Sequence, residues 1–168
     1  MNMWANWYMS QWDLYIENNP YARNHPLLHA VEDPMVLFKQ PNEKAYARFR
    51  ELMQLLDISI LDILTLQYNQ RALVASSMYL LLAYHFGQTT KEQICKEFIC
   101  SSYFLDAQYP FNDLYSHFLS QSFGFTLHEL LPTIQYIATF MSLCFNYELP
   151  TVTNNQQVLD VKIKKRQV

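Results

Sequence analysis

The chain has 168 residues, 51% of them apolar and 15% aromatic, which is enough for one domain with a sizeable core and argues against disorder except at the ends. Two glycines are too few for the turns of an antiparallel sandwich or barrel, or for a phosphate-cradling loop, and point to helices. A net charge of −3 gives no electrostatic case for nucleic acid.

Trp4, Trp7, Tyr8, Gln11, Trp12 and Tyr15 recur at helical spacing and predict a helix over 3–17 with a broad aromatic face. Asn18-Asn19-Pro20 ends it, because proline restricts the residue before it and has no N–H to donate. Residues 18–42 carry four prolines and read as a long connection with one helical turn near Leu27-Leu28. A second helix is expected from Asn42 or Glu43 to Leu56. Its apolar stripe is Tyr46, Phe49, Leu52, Met53 and Leu56, with Arg48 and Glu51 mostly outside it. Residues 57–66 read as a short helix or irregular link.

The third helix, about Asn69 to Phe86, has no charged residue between Ala72 and Tyr84, the pattern of a helix buried on most sides. Ala75, Ser76 and Ser77 let neighbouring backbones approach, and Gly87 is the expected stop. Thr89 to Glu92 suggests a capping box for a helix through Cys100, and Asp113 a cap for a short helix ending near Ser122. Thr126 and Glu129 stand at capping-box spacing before a last helix with Leu130, Ile134, Ile137, Met141 and Phe145 on one face and Pro132 inside it. Residues 150–168 read as a loose tail with a basic cluster, Lys162 to Arg166.

Chemistry is hard to find. Cys95, Cys100 and Cys144 form no CxxC pair and fit reduced thiols in an intracellular protein. The start lacks a signal peptide, and the uncharged 72–84 run is too short to span a bilayer. His25 and His29 are four apart, but Pro26 lies between them and no further metal ligand is near. Cys95 with His85 or His117 lacks an orienting acid and an oxyanion hole. Glu92, Glu97 and Asp106 offer no fixed acid–base pair. The expectation is an all-α bundle of five main helices, no enzyme, no cofactor and no metal.

Three segments, in order, resemble the C-terminal cyclin fold of the cyclin family, most closely the E type. Trp4-Ala5-Asn6-Trp7-Tyr8-Met9, with Leu14 after it, is similar to the Trp-x-Asn-x-Tyr-Met opening of the second repeat. Leu55-Leu56-Asp57, Leu61-Asp62, Leu66, Ala75-Ser76 and Tyr79 resemble the run that leads into its alanine-serine core helix. Gly124-Phe125-Thr126 with Leu130 and Pro132 resembles the start of a later helix. The resemblance spans about residues 4–146 of a cyclin-like domain 1–149, with an insertion at about 88–112. Asn69 and Arg71 stand where the family more often has proline and glycine, and no serine or threonine is followed by proline.

What the resemblance implies is the C-terminal half of a regulatory subunit of a cyclin-dependent kinase, acting by protein–protein contact in cell-cycle control. It implies a place in the nucleus, with cytoplasm and centrosome as further sites. The first repeat, through which cyclins chiefly engage the kinase, has no counterpart here. Apolar surface that this repeat covers is then open, and self-association is expected. In the family the first helix is linked to centrosome targeting and replication-factor contacts, which places partner contact on Trp4, Asn6, Tyr8, Met9 and Leu14. Large aromatics at helical spacing are usually core, which makes packing into the bundle the preferred reading of Trp4, Tyr8 and Trp12; a mixed arrangement puts Asn6 and Met9 on the outer side. A stand-alone helical adaptor that binds a peptide or helix through the aromatic face is the alternative function.

Overall fold

A computed structural model of the chain describes residues 1–30, 37–39, 43–86 and 110–145. All regular structure among them is helical. It comprises α1 (Asn2–Asn18), α2 (Pro20–Arg23), α3 (Pro26–Ala30), α4 (Glu43–Ile60), a 3-10 helix (Ile63–Gln67), α5 (Gln70–His85), α6 (Pro110–Ser122) and α7 (Leu127–Phe145). The expected stop at Gly87, the helix through Cys100, most of the 88–112 insertion and the basic tail lie outside the described residues.

The middle of the bundle is α5. Every residue from Ala72 to Ala83 is buried, including three leucines in a row, Leu80, Leu81 and Leu82. A helix places successive side chains about 100° apart, so such a run can be buried only where neighbours stand on all sides. They do: α1, α4 and α7 pack against α5, and α6 is tied to it by two buried hydrogen bonds. The Tyr115 hydroxyl donates to the Ala75 carbonyl (2.5 Å), and the Tyr79 hydroxyl donates to Asn112 Oδ1 (2.6 Å). Burial holds the Tyr115 phenol far above its ordinary pKa, so it stays a donor. The small residues expected to admit close neighbours are all wholly buried: Ala75, Ser76 and Ser77.

The helix ends follow local chemistry. Asn19 closes α1 and its side chain accepts from the Tyr21 N–H, starting α2 with Pro20 at its first position. Asn69 caps α5 by accepting from the Arg71 N–H (2.8 Å). Gly124, at φ 70°, sits just beyond α6, where its N–H reaches the Leu119 carbonyl (3.1 Å). Thr126 and Glu129 form the expected reciprocal capping box on α7, each side chain accepting from the other's N–H at 3.2 Å. Leu130, Ile134, Ile137 and Met141 face the core, and Pro132 lies within the helix.

Several expectations need correction. The 18–42 connection holds two short helices, α2 and α3, because Asn19 and Pro20 stop one helix and start the next. Helix α4 runs four residues past Leu56, and residues 61–67 turn through a 3-10 helix. Its buried stripe is rotated from the expected one: Tyr46 is 59% exposed, whereas Ala45, Arg48, Leu52, Leu55, Leu56 and Ser59 are inside. Arg48 is drawn in because its guanidinium donates to the Leu37 carbonyl (3.5 Å). Asp113 is in the first turn of α6, which begins three residues earlier at Pro110.

Candidate partner-binding surface

Helix α1 divides into an inner and an outer face. The inner stripe is Ala5, Tyr8, Met9, Trp12, Tyr15 and Ile16. Trp12, wholly buried, meets Phe118 edge-on with ring centroids 5.0 Å apart. Tyr8 stacks on Phe123 at 3.7 Å, nearly parallel. The Tyr15 hydroxyl lies 2.8 Å from His117 Nδ1, and burial pushes its pKa well above the ordinary phenol value. Asp13 also turns inward. Its carboxylate accepts the N–H groups of Phe38 (2.8 Å) and Lys39 (2.9 Å), which pins residues 37–39 to α1. Burial raises the Asp13 pKa against the two donors that lower it.

Arg71, at the start of α5, lies over the rings of Trp4 (5.2 Å) and Phe125 (5.4 Å). It also faces the Tyr8 hydroxyl, whose pKa is raised by burial and partly lowered by this cation. One side chain thus clamps α1 and the loop before α7 onto α5. Arg71 therefore has a structural task here.

The outer face of α1 carries Met3 (72% exposed), Trp7 (43%) and Leu14 (51%), with Asn6 and Ser10 beside them. These apolar residues lie at i, i+4 and i+11, one seam of the helix. Asn6 Nδ2 donates to the Asn2 carbonyl and the Ser10 hydroxyl to that of Asn6, so both polar side chains are folded along the helix. Trp7 is held edge-on against Trp4 and Phe123, at 6.1 and 5.2 Å, and is presented in a fixed pose.

The five expected contact residues are therefore split. Asn6 and Leu14 are exposed and Trp4 is half-buried. Tyr8 and Met9 are fully inside, so the expectation that Met9 faces outward is corrected: the inner stripe 5, 8, 9, 12, 15, 16 takes it. Met3 and Trp7 complete the outer seam. Their spacing from Leu14 was the available signal, masked because Trp7 also fits the broad aromatic run.

Other constellations are satisfied internally. His25 is buried and its Nδ1 accepts from the Leu27 N–H (3.2 Å), while burial lowers its pKa against the pull of Asp113. His85 Nε2 lies 2.6 Å from Glu51, tying α5 to α4. His85 meets Glu51 and His117 meets the Tyr15 hydroxyl, while their expected partner Cys95 lies outside the described residues, as do Glu92, Glu97 and Asp106. Among the described residues no group of three His, Cys, Asp or Glu can hold a metal, and no helix is long and apolar enough to cross a membrane.

No protein-family model, no curated protein and no solved structure matches this chain. Its function must be argued from its own residues.

Proposed function

We propose that this chain is the C-terminal half of an E-type cyclin, a regulatory subunit of a cyclin-dependent protein kinase that works by protein–protein contact in cell-cycle control. The observation that carries the reading is the sheathed helix α5. It is buried from Ala72 to Ala83, with the four other long helices among the described residues around it. Of the residues that carry the resemblance, Leu55, Leu56, Ala75, Ser76, Tyr79 and Leu130 are core, whereas Leu14, Leu61 and Leu66 are exposed.

The chain supplies no chemistry in this reading. A complete cyclin holds a kinase helix and activation loop in their active arrangement. This half supports the first repeat and offers secondary docking surface, chiefly Asn6 and Leu14 with Met3 and Trp7 on α1. It acts in the nucleus, with cytoplasm and centrosome as further sites. The deciding experiment is co-purification with a panel of cyclin-dependent kinases, using the chain alone and the chain fused behind a first cyclin repeat. The fusion is expected to retain a kinase and the chain alone to retain little. Loss of the kinase from both sinks the proposal.

The outward seam of α1 favours a second reading, a helical adaptor that takes a peptide or helix without any kinase. Binding of a partner that is lost on Trp7→Ala, with no kinase in the complex, distinguishes it.

A further inference from the structure

A second apolar surface lies where α4 gives way to α5. Ile60 and Leu64 are 50% exposed, Ile63 is 77%, and Leu61 and Leu66 are each 85% exposed. Single exposed hydrophobics are ordinary, but five large aliphatics within seven residues form a contiguous patch.

The patch is held from beneath. Asp62 caps the 3-10 helix, its Oδ1 accepting the Leu64 N–H (3.0 Å). Thr65, the buried residue of the turn, hydrogen-bonds the Ser59 carbonyl and meets the Tyr136 hydroxyl at 2.7 Å. Tyr136 in turn stacks on Tyr68 at 4.5 Å. With Thr65 anchored inward, its neighbours on the turn are driven outward. Beside them opens a cavity of about 260 Å³, lined among others by Ile60, Leu66, Tyr68 and Leu73. That is smaller than the ~300–1,000 Å³ of small-molecule pockets and suits an inserted side chain.

Charge decides what fits. From Glu51 to Gln70 the sequence has three carboxylates and no lysine, arginine or histidine. Glu51 is engaged by His85, which leaves Asp57, exposed, and Asp62 at the edge of the turn. The knuckle of a second copy would bring the same negative rim, and an anionic membrane would be repelled. A segment with aliphatic knobs among lysines or arginines is complemented on both counts.

We propose that the aliphatic knuckle Ile60–Leu66, with its adjoining cavity and acidic rim, is a docking site for a cationic amphipathic helix of a partner protein. The site is distinct from the α1 seam and does not depend on the kinase reading.

The test is fluorescence anisotropy of the full chain with a labelled helical peptide of leucine at i, i+3, i+4 and i+7 and lysine elsewhere. A counterpart with glutamate in place of lysine is run beside it. The leucine–lysine peptide is expected to bind, with Leu61→Ser plus Leu66→Ser weakening it about tenfold or more and Asp57→Lys about threefold or more. Leu143→Ser, on an exposed leucine of α7, should leave binding unchanged. Circular dichroism and urea midpoints verify folding, and Asp57→Lys stands as an independent variant. Equal binding of the glutamate peptide, or binding indifferent to all knuckle variants, overturns the proposal. It is also overturned if the serine variants abolish self-association or vesicle binding and leave peptide binding intact.

Discussion

Truncating Leu80, Leu81 and Leu82 one at a time to alanine tests the architecture most directly. These side chains point in directions spread over about 200° around the helix axis. On a helix packed from one side, at least one of them would face water, where substitution changes stability by no more than ~0.5 kcal/mol. Each is in fact 0% exposed. Every truncation therefore removes buried carbons and leaves a cavity, at a cost of about 2–5 kcal/mol. Since domains of this kind are stable by only ~5–15 kcal/mol, each should be conspicuous. In urea, with a slope of ~1–3 kcal/mol/M, the midpoint should fall by about 1–2 M. Tryptophan fluorescence provides the readout, because Trp12 is buried beside Phe118 and reports loss of the core. Leu66→Ala, at a side chain 85% exposed, is the control and should barely move the midpoint. A loss below ~1 kcal/mol at any of the three leucines would refute a helix enclosed on all sides.

Four further outcomes are expected. Thr126→Ala removes the acceptor of the Glu129 N–H and should cost about 1 kcal/mol, read as a lower urea midpoint; no change would show the capping box to be idle. Ser76→Ala should be neutral or stabilising by up to ~1 kcal/mol, because the Ser76 hydroxyl is buried with no hydrogen-bond partner among the described residues; a clear loss in thermal melting would reveal a partner. Burial lowers the folded-state pKa of His25, so below its unfolded value of about 6.5 the unfolded chain binds the extra proton and stability falls as pH falls. His25→Gln should reduce that loss between pH ~7 and ~5.5, and identical slopes would remove His25 from the account. Finally, light scattering should show concentration-dependent self-association of the chain that Trp7→Lys reduces; a stable monomer at ~100 μM counts against an open α1 seam.

The elements readable from sequence were those with a strong local signal. The absence of charge from Ala72 to Tyr84 marked the enclosed helix, and Thr126 with Glu129 marked the start of α7. Asn19 and Pro20 gave the end of α1 but concealed a new start, because the same Asn–Pro pair caps a helix as readily as it stops one. The face of α4 was misjudged at Arg48 and Tyr46. An arginine can enter the core when its head finds a carbonyl, and that carbonyl, Leu37, is eleven residues away in sequence. The α1 surface was half legible: helical spacing identified the aromatic residues, but only packing against Phe118 and Phe123 decides which of them are used up. The knuckle was missed because aliphatic residues in a short turn look like core until Thr65 is seen to take the inward position.

Enclosing one helix on all sides has a consequence for its neighbours. Each peripheral helix spends one face on α5 and needs polar residues elsewhere to remain soluble. Helix α4 meets that need with exposed Arg50 and Asp57, whereas the outer face of α1 carries no charge from Met3 to Leu14, since Asp13 is turned inward to hold residues 37–39. The α1 seam is therefore apolar and uncharged from Met3 to Leu14, and like surfaces can meet across it without repulsion. The knuckle is apolar too, yet its carboxylates set a sign that a second knuckle cannot satisfy. Two exposed apolar surfaces on one bundle thus call for different partners. Raising ionic strength should separate them: screening weakens the cationic peptide at the knuckle and leaves association through α1 unchanged or stronger.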